Sequence, residues 1–167
     1  FETHLNKILK TRHLKIHLVM IPTDRDRLIA DLSDGLGDIA AGNLTITADR
    51  LNHIDFSDPL YTGVTEILVT RNTAHQIKTP EDLSGEQIWV RKSSSYYQSL
   101  LHLNKKLSQT GRKPVEIMEV NEVLEDEDIL EMMNAGIIPM SVIDSHKGTF
   151  WAEVFEGIQL HPDIRFR

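Results

Sequence analysis

The chain has 167 residues, of which 40% are hydrophobic and 26% are charged, and its formal net charge is −7. This is ordinary globular usage, which excludes a disordered chain and allows a buried core in one domain or two small ones. The absence of cysteine excludes disulfides, thiolate metal sites and cysteine nucleophiles, and the acidic balance argues against nucleic acid, whose phosphates attract a basic surface.

Two further absences concern membranes and targeting. No apolar run approaches the roughly 18 residues of a membrane span. No signal peptide opens the chain, which begins at Phe1 rather than Met. We therefore expect a fragment or a processed piece of a longer protein.

The first 65 residues show an alternation of helical and extended patterns. Apolar residues recur every three or four positions in the predicted helices and every second position in the predicted strands. In chain order the predicted elements are a helix at 5–9, a strand at 13–21, a helix at 23–32 capped by Thr23, and a half-buried strand edge at 44–47.

The alternation continues to the end of the chain. It predicts an α/β fold with mostly parallel sheets covered by helices. The predicted elements are a strand at 66–70, a polar connector at 72–76, a strand at 88–91, a helix at 96–107, a strand at 115–120, a helix at 125–134 ended by Gly136, a strand at 141–144 and a helix near 149–155.

Thr45 and Arg50 form a candidate carboxylate clamp at the end of the first region. A guanidinium group presents a planar fork of donors that matches the two oxygens of a carboxylate, and a neighbouring hydroxyl can donate a further hydrogen bond. The alternative is a solvated arginine in a turn, which is the commoner role of an isolated arginine. The residues alone leave both readings open.

Several motifs are distributed along nearly the whole chain. They are Gly42-x-x-Thr-x-Thr-x-x-Arg50, Asp55-Phe-Ser-Asp-Pro59 with Tyr61, and the stretches 78–85, 88–96, 125–136 and 142–151. Taken together, they resemble the family 3 extracellular solute-binding proteins, the bilobed periplasmic receptors for amino acids. The last stretch is also similar to the receptor-type domain that precedes the catalytic domain in the membrane-bound lytic murein transglycosylase F group.

The resemblance implies a periplasmic-binding-protein-like (type II) bilobed fold whose first lobe is incomplete at both chain ends. We expect a partial first lobe at 1–71, a second lobe at 72–164 and the start of a return crossing at 165–167. A first lobe without its central strand exposes a sheet edge, so we also expect rearrangement or a strand-swapped homodimer.

The resemblance also implies where a ligand binds. The expected ligand-binding residues are Asn43, Thr45, Arg50, Ser94, Ser95, Tyr96 and Asp144. Hydroxyl and N–H groups at a helix N-terminus suit an anion, and Asp144 after an apolar strand suits an amino group. Helix capping is the structural alternative for both serines and for Asp144. The family usually has Gly where this chain has Ser93, which alters how closely the backbone can approach a carboxylate.

The function implied is a periplasmic domain that clamps an amino acid or similar small solute for an ABC-type transporter with a membrane permease. The alternative is a regulatory, ligand-sensing domain of a lytic murein transglycosylase, anchored to the membrane in the full-length protein, that binds muropeptides or amino acids. Transglycosylases of that family place a catalytic Glu before Ser. No Glu immediately precedes a Ser in this chain, so we expect a non-enzymatic domain.

Three other patterns do not favour a cofactor or a metal. The motif Gly35-x-Gly37 follows a helix, which is the reverse of the order in a dinucleotide site. His13 and His17 have helical spacing but no third ligand nearby in the sequence. The acidic residues in 119–131 suit the first turn of a helix better than a calcium loop, which also requires glycine. We expect neither a cofactor nor a metal.

Overall fold

The computed structural model describes residues 1–72 and 77–167, so most of the predicted connector at 72–76 lies outside the described residues. Within these ranges the helices are α1 (Glu2–Ile8), α2 (Leu28–Ser33), α3 (Ala48–Leu51), α4 (Ser95–Gln109), α5 (Asp126–Asn134) and α6 (Ser145–Ala152), with a short 3-10 helix at Pro80–Leu83. The strands are β1 (Glu66–Arg71), β2 (Gln87–Val90), β3 (Glu116–Glu119), β4 (Met140–Asp144) and β5 (Ile158–Arg165).

The described strands form one mixed sheet in the order β3-β2-β4-β1-β5. β2 is parallel to both β3 and β4, whereas β1 is antiparallel to both β4 and β5. β1 therefore runs opposite to the other four strands. The sheet is flanked by helices, as the α/β prediction requires.

The core lies on both faces of this sheet. On one face Leu68 and Val142, which are cross-strand partners, pack under α4 with Leu100. On the other face Ile67 and Ile143 pack in a second cluster with residues of α5. β1 is buried on both faces, which explains why its sequence is a continuous apolar run without polar alternation.

Residues 1–65, called the first segment below, are built differently from residues 66–167, the second segment. None of the residues 1–65 is buried, and all three helices in this segment are short. Large apolar side chains such as Leu14, Val19 and Met20 are mostly exposed. The core of the described chain thus belongs to the second segment.

The two strands predicted in the first segment, at 13–21 and 44–47, are wrong. The first lacks a neighbouring strand, and side chains bind its backbone instead: Asn6 Oδ1 accepts from the Ile16 N–H at 2.8 Å and a Glu2 carboxylate oxygen accepts from the Leu18 N–H at 2.8 Å. An extended pattern without a strand partner cannot form a ladder.

The second helix begins later than predicted, at Leu28 rather than Thr23. The residues before it form a turn in which the Arg27 N–H donates to the Asp24 carbonyl at 3.0 Å. The Thr23 hydroxyl donates to the Ile21 carbonyl at 3.4 Å and does not cap the helix.

The predicted elements of the second segment are confirmed to within a few residues, and β5 is an addition. β5 contains Pro162, and the register between β1 and β5 shifts at Ile67/Leu68, which explains why its sequence shows no regular alternation. β1 lies in the same sheet as the strands beyond residue 72, although the predicted first lobe, 1–71, includes it. The predicted domain limits themselves stay a prediction.

Candidate functional site

A cavity of about 1000 Å³ lies between the first segment and one edge of the second. The first segment contributes loop residues in 38–49 and 54–64, and the second contributes one side of α4 and the carboxyl end of β4. The lining residues of the second segment are Ser95, Gln98, Ser99, His102, Asp144, His146 and Arg167.

The sequence of α4 explains how one helix serves both core and cavity. Tyr96, Leu100, Leu103 and Leu107 are buried and recur at helical spacing. A second stripe is polar, with members three or four residues apart that all line the cavity: Ser95, Gln98, Ser99 and His102. The apolar stripe fixes the helix on the sheet and leaves the polar stripe facing the cavity.

Asp144 ends β4 at the cavity wall. It is only 5% exposed, and its Oδ1 has no hydrogen-bond partner among the described residues. Its other carboxylate oxygen lies 3.7 Å from Lys147 Nζ. Its backbone N–H donates to the Tyr96 hydroxyl at 3.1 Å. A buried carboxylate oxygen without a donor is costly unless a cation or donor reaches it, so Asp144 can accept an ammonium group from the cavity.

A chain of charges holds the surroundings of Asp144 in place. Lys147 Nζ lies 2.6 Å from Asp126, whose other oxygen accepts from Arg91 at 2.5 Å. Burial alone would raise the pKa of Asp126, but Lys147 and Arg91 together hold it below the ordinary value of 3.8. Arg91 also contacts Glu125 at 3.0 Å. The strongest partner of Lys147 is therefore Asp126, which leaves Asp144 only loosely paired.

Glu125 connects this network of ion pairs to the first segment through Arg25. The Arg25 guanidinium contacts both of its carboxylate oxygens, at 3.1 and 2.9 Å, and also donates to the Gly42 carbonyl at 2.7 Å. Burial alone would raise the pKa of Glu125, but Arg25 and Arg91 lower it. Arg25 therefore ties the loop before the predicted clamp to the N-terminus of α5.

Arg50 makes a second tie between the segments. Its Nη1 donates to the Thr45 carbonyl at 2.8 Å and its Nη2 donates to the Ser93 carbonyl at 2.9 Å. Burial, followed by the positive charges of Arg167 and Arg25, lowers the pKa of Arg50. Several arginines thus share one region, which favours an anion there.

A smaller cavity of about 220 Å³ lies beside Arg50 and the N-terminus of α4. Ser93, Ser94 and Ser95 line it, and Ser95 also lines the larger cavity. Unpaired N–H groups in the first turn of a helix favour negative charge. We call Arg50 and this helix end the candidate anion-binding side of the site; Asp26 and Asp49 also line the smaller cavity.

Ser93 and Ser94 are both hydrogen-bonded within the protein, in different ways. Ser94 caps α4: its hydroxyl accepts from the Tyr97 N–H at 3.2 Å and donates to the Arg91 carbonyl at 2.6 Å. Ser93 is held by Glu122, which accepts from both its N–H and its hydroxyl. Ser93 is also absent from the residues with positive φ, so its backbone does not require glycine.

The structure brings most of the predicted site residues together. Asn43, Thr45, Ser95 and Asp144 line the larger cavity, and Arg50, Ser94 and Ser95 line the smaller one. Asn43 has a φ of 48°, a left-handed conformation that asparagine tolerates better than most residues.

Tyr96 differs from the other predicted site residues because it lines neither cavity. It is 5% exposed, and its hydroxyl donates to Asp126 at 3.2 Å while accepting from the Asp144 N–H. Burial, followed by the charges of Asp126 and Asp144, raises its pKa well above the usual range. Tyr96 therefore acts on the site by positioning Asp144.

Three charged residues in or behind the site are not predicted from the sequence: Lys147, Arg25 and Glu66. Lys147 lies three residues after Asp144, a spacing that brings side chains together at the start of a helix, and this signal was available. Arg25 and Glu66 depend on contacts between distant parts of the chain. No local pattern predicts such contacts.

Two features are absent from residues 1–72 and 77–167. No group of three or more histidine, cysteine, aspartate or glutamate side chains in these ranges has the arrangement of a metal site. No helix in them is both long enough and apolar enough to cross a membrane.

Comparison with curated proteins gives two kinds of relative. The chain is 30% identical over 153 residues to the membrane-bound lytic murein transglycosylase F of Desulfosudis oleivorans, covering 92% of this chain and 31% of that protein. It is 29% identical over 85 residues to the L-cystine-binding protein TcyJ of Escherichia coli, covering 51% of this chain and 32% of that protein. The chain thus spans about a third of the length of these relatives.

Comparison with solved structures gives the same fold. An ancestral arginine-binding protein bound to arginine aligns with a TM-score of 0.69 and 23% identity, over 93% of this chain and 63% of that one. An amino acid ABC transporter substrate-binding protein, AbpA from Streptococcus pneumoniae, bound to L-arginine, aligns with a TM-score of 0.66 and 17% identity, over 99% of this chain and 65% of that one.

The family model for bacterial extracellular solute-binding proteins, family 3, matches residues 4–143, which is most of the chain. The match is to a solute-binding domain and not to a catalytic fold. The chain belongs to the family 3 bacterial extracellular solute-binding proteins and has the type II periplasmic-binding-protein fold.

Proposed function

We propose that this domain clamps an amino acid, or a small solute resembling one, between its two lobes and presents it to an ABC-type transporter. The observation that carries the proposal is Asp144, a buried carboxylate that lines the larger cavity with one oxygen unpartnered among the described residues. An ammonium group is the ligand group that such an oxygen accepts best.

The anion-binding side supports the same ligand. Arg50 and the N-terminus of α4 lie beside the smaller cavity, and Ser95 borders both cavities. A zwitterion bound across Ser95 would place its carboxylate toward Arg50 and its ammonium toward Asp144. These two groups belong to different segments, so a ligand that contacts both favours the closed arrangement.

A thermal-shift screen of the common amino acids tests this proposal, because a ligand that binds only the folded state raises the unfolding temperature. We expect a stabilising ligand whose effect is lost in both Asp144→Asn and Arg50→Ala. Asp163→Asn is the matched control, since Asp163 is exposed on β5 and does not line either cavity. A stabilising ligand that is indifferent to Asp144→Asn would contradict the proposed site.

A second function is favoured by the names of relatives. Several curated proteins that match this chain are membrane-bound lytic murein transglycosylases F, and the chain covers 31%, 26% and 27% of three of them. In that case the domain senses muropeptides or amino acids for a catalytic domain elsewhere in a periplasmic, membrane-anchored protein. Stabilisation by muropeptides but by no free amino acid would support this function over transport.

The partners we propose follow from these two functions. They are a membrane permease in the first and a fused transglycosylase domain in the second. A strand-swapped homodimer is a third, supported by the exposed and apolar residues 18–21, which pair with no strand among the described residues. Sedimentation analysis tests it, and a monomer at all concentrations would contradict it.

A further inference from the structure

Glu66, the first residue of β1, is a buried carboxylate that the proposed clamp does not use. It is 0% exposed, and one oxygen accepts from the Ser99 hydroxyl at 2.5 Å. Its Oε1 has no hydrogen-bond partner among the described residues. The closest cation is Arg167, whose Nη2 lies 4.0 Å away. Ser99 and Arg167 both line the larger cavity, so Glu66 lies directly behind its wall.

Glu66 and Asp144 are direct cross-strand partners on β1 and β4. The backbone hydrogen bonds on this side of the pair run from Ser145 to Thr65, which makes 66/144 a non-hydrogen-bonded pair. Side chains of such pairs lie on the same face of the sheet with Cβ atoms about 5 Å apart. The structure therefore places two buried carboxylates side by side, with Asp144 in the cavity wall and Glu66 behind it.

The charges around this pair are incompletely balanced. Each carboxylate has one oxygen without a hydrogen-bond partner among the described residues. Lys147 is closer to Asp126, at 2.6 Å, than to Asp144, at 3.7 Å. Arg167 is beyond hydrogen-bond distance of Glu66. Like charges this close disfavour each other unless cations reach them.

We propose that Glu66 and Asp144 together select a diamino acid, with the α-ammonium at Asp144 and the side-chain ammonium at the Ser99 hydroxyl, directly in front of the Glu66 carboxylate. This inference rests on the proposed function, because it takes Asp144 as the α-ammonium site. It adds a ligand class: the second ammonium supplies the charge that the acidic pair lacks. A neutral side chain of the same length would leave Glu66 with Arg167, at 4.0 Å, as its cationic partner among the described residues.

L-Ornithine and L-norleucine are matched probes for this proposal, since their side chains have the same number of heavy atoms and differ by a terminal ammonium or methyl group. Calorimetric titration of the unmodified protein should show ornithine binding about tenfold more tightly, or better, as expected for a charged hydrogen bond. Glu66→Gln should abolish that preference, so that the two ligands bind with similar affinity. Asp144→Asn should weaken both ligands.

Each contrary outcome has a separate meaning. Equal affinity for ornithine and norleucine, or a preference that survives Glu66→Gln, overturns the diamino-acid inference alone. Failure of both ligands to bind, or norleucine binding that is unaffected by Asp144→Asn, overturns the proposed function and the inference with it.

Arg167→Met is a second variant that tests the inference without changing the acidic pair. It removes the cation that competes for Glu66, so affinity for ornithine should rise about threefold relative to norleucine. An unchanged or lower ratio would overturn the inference even if Glu66→Gln failed to fold.

Discussion

The substitution Tyr96→Phe should destabilise the protein, although it removes only one heavy atom, the hydroxyl oxygen. The hydroxyl accepts from the Asp144 N–H at 3.1 Å and donates to Asp126 at 3.2 Å. In Tyr96→Phe the buried Asp144 N–H loses its acceptor, which costs about 1–3 kcal/mol. Asp126 keeps its two cationic partners, so its share of the loss is small.

We therefore expect Tyr96→Phe to lower the free energy of unfolding by about 2 kcal/mol. For a chain of this size that corresponds to a fall in melting temperature of about 4 to 8 °C. Urea unfolding followed by circular dichroism measures the change. We also expect weaker amino-acid binding, because the backbone that carries Asp144 loses its tie to α4.

Tyr97→Phe is the matched control for this experiment. Tyr97 is the next residue of the same helix, is half-buried, and packs against the core cluster under α4. Its substitution removes the same atom away from Asp144, so it should have little effect. If the two variants were equally stable, Tyr96 would not have the positioning role assigned to it.

Three further predictions concern other parts of the structure. Arg25→Ala should cost about 1 kcal/mol, since this ion pair is partly exposed, and should speed amide hydrogen exchange in the first segment; unchanged exchange would count against the tie. Burial alone would raise the pKa of Asp126, but its cationic partners lower the pKa in the folded state below the ordinary value of 3.8. The stability that Asp126 contributes is therefore complete above pH 3.8 and is lost as the pH falls through the lowered pKa of the folded state. Asp126→Asn should therefore flatten the pH dependence of the urea midpoint below pH 3.8, and an unaltered slope would refute the pairing. Gly136→Ala and Gly111→Ala should lower the urea midpoint by similar amounts, because both have positive φ and a Cβ at Gly136 would meet only the mobile guanidinium end of the exposed Arg71 side chain; a much larger fall for Gly136→Ala would contradict this.

The second segment was predictable from the sequence because its elements bury their own apolar patterns. The continuous apolar run of β1 and the helical spacing in α4 each correspond to an observed core face. Local signals therefore agree with the packing, and the predicted elements differ from the observed ones by a few residues.

The first segment was predicted less well because its patterns have no packing partner. Residues 13–21 alternate as a strand would, but their backbone is bound by Asn6 and Glu2 from α1. Alternation specifies a strand only when a neighbouring strand and a buried face are present. Neither is available to residues 13–21 in the described chain.

The sequence predicts which residues lie near the candidate site better than it predicts what each of them contacts. Asp144 and Ser95 line the larger cavity and Arg50 lines the smaller one, while their ligand-binding roles stay predictions. Tyr96 is buried behind the site instead, since its aromatic ring belongs to the apolar stripe of α4. Glu66 was not predicted, because a single carboxylate at the start of an apolar strand carries no signal of its cross-strand partner.

A crystal structure of the protein with a bound amino acid tests the central claim most directly. We predict that the α-ammonium nitrogen lies about 3 Å from Asp144 Oδ1 and that the α-carboxylate points toward Arg50 and the N-terminus of α4. A ligand bound in the opposite orientation, or bound in the cavity without contact to Asp144, would contradict the account.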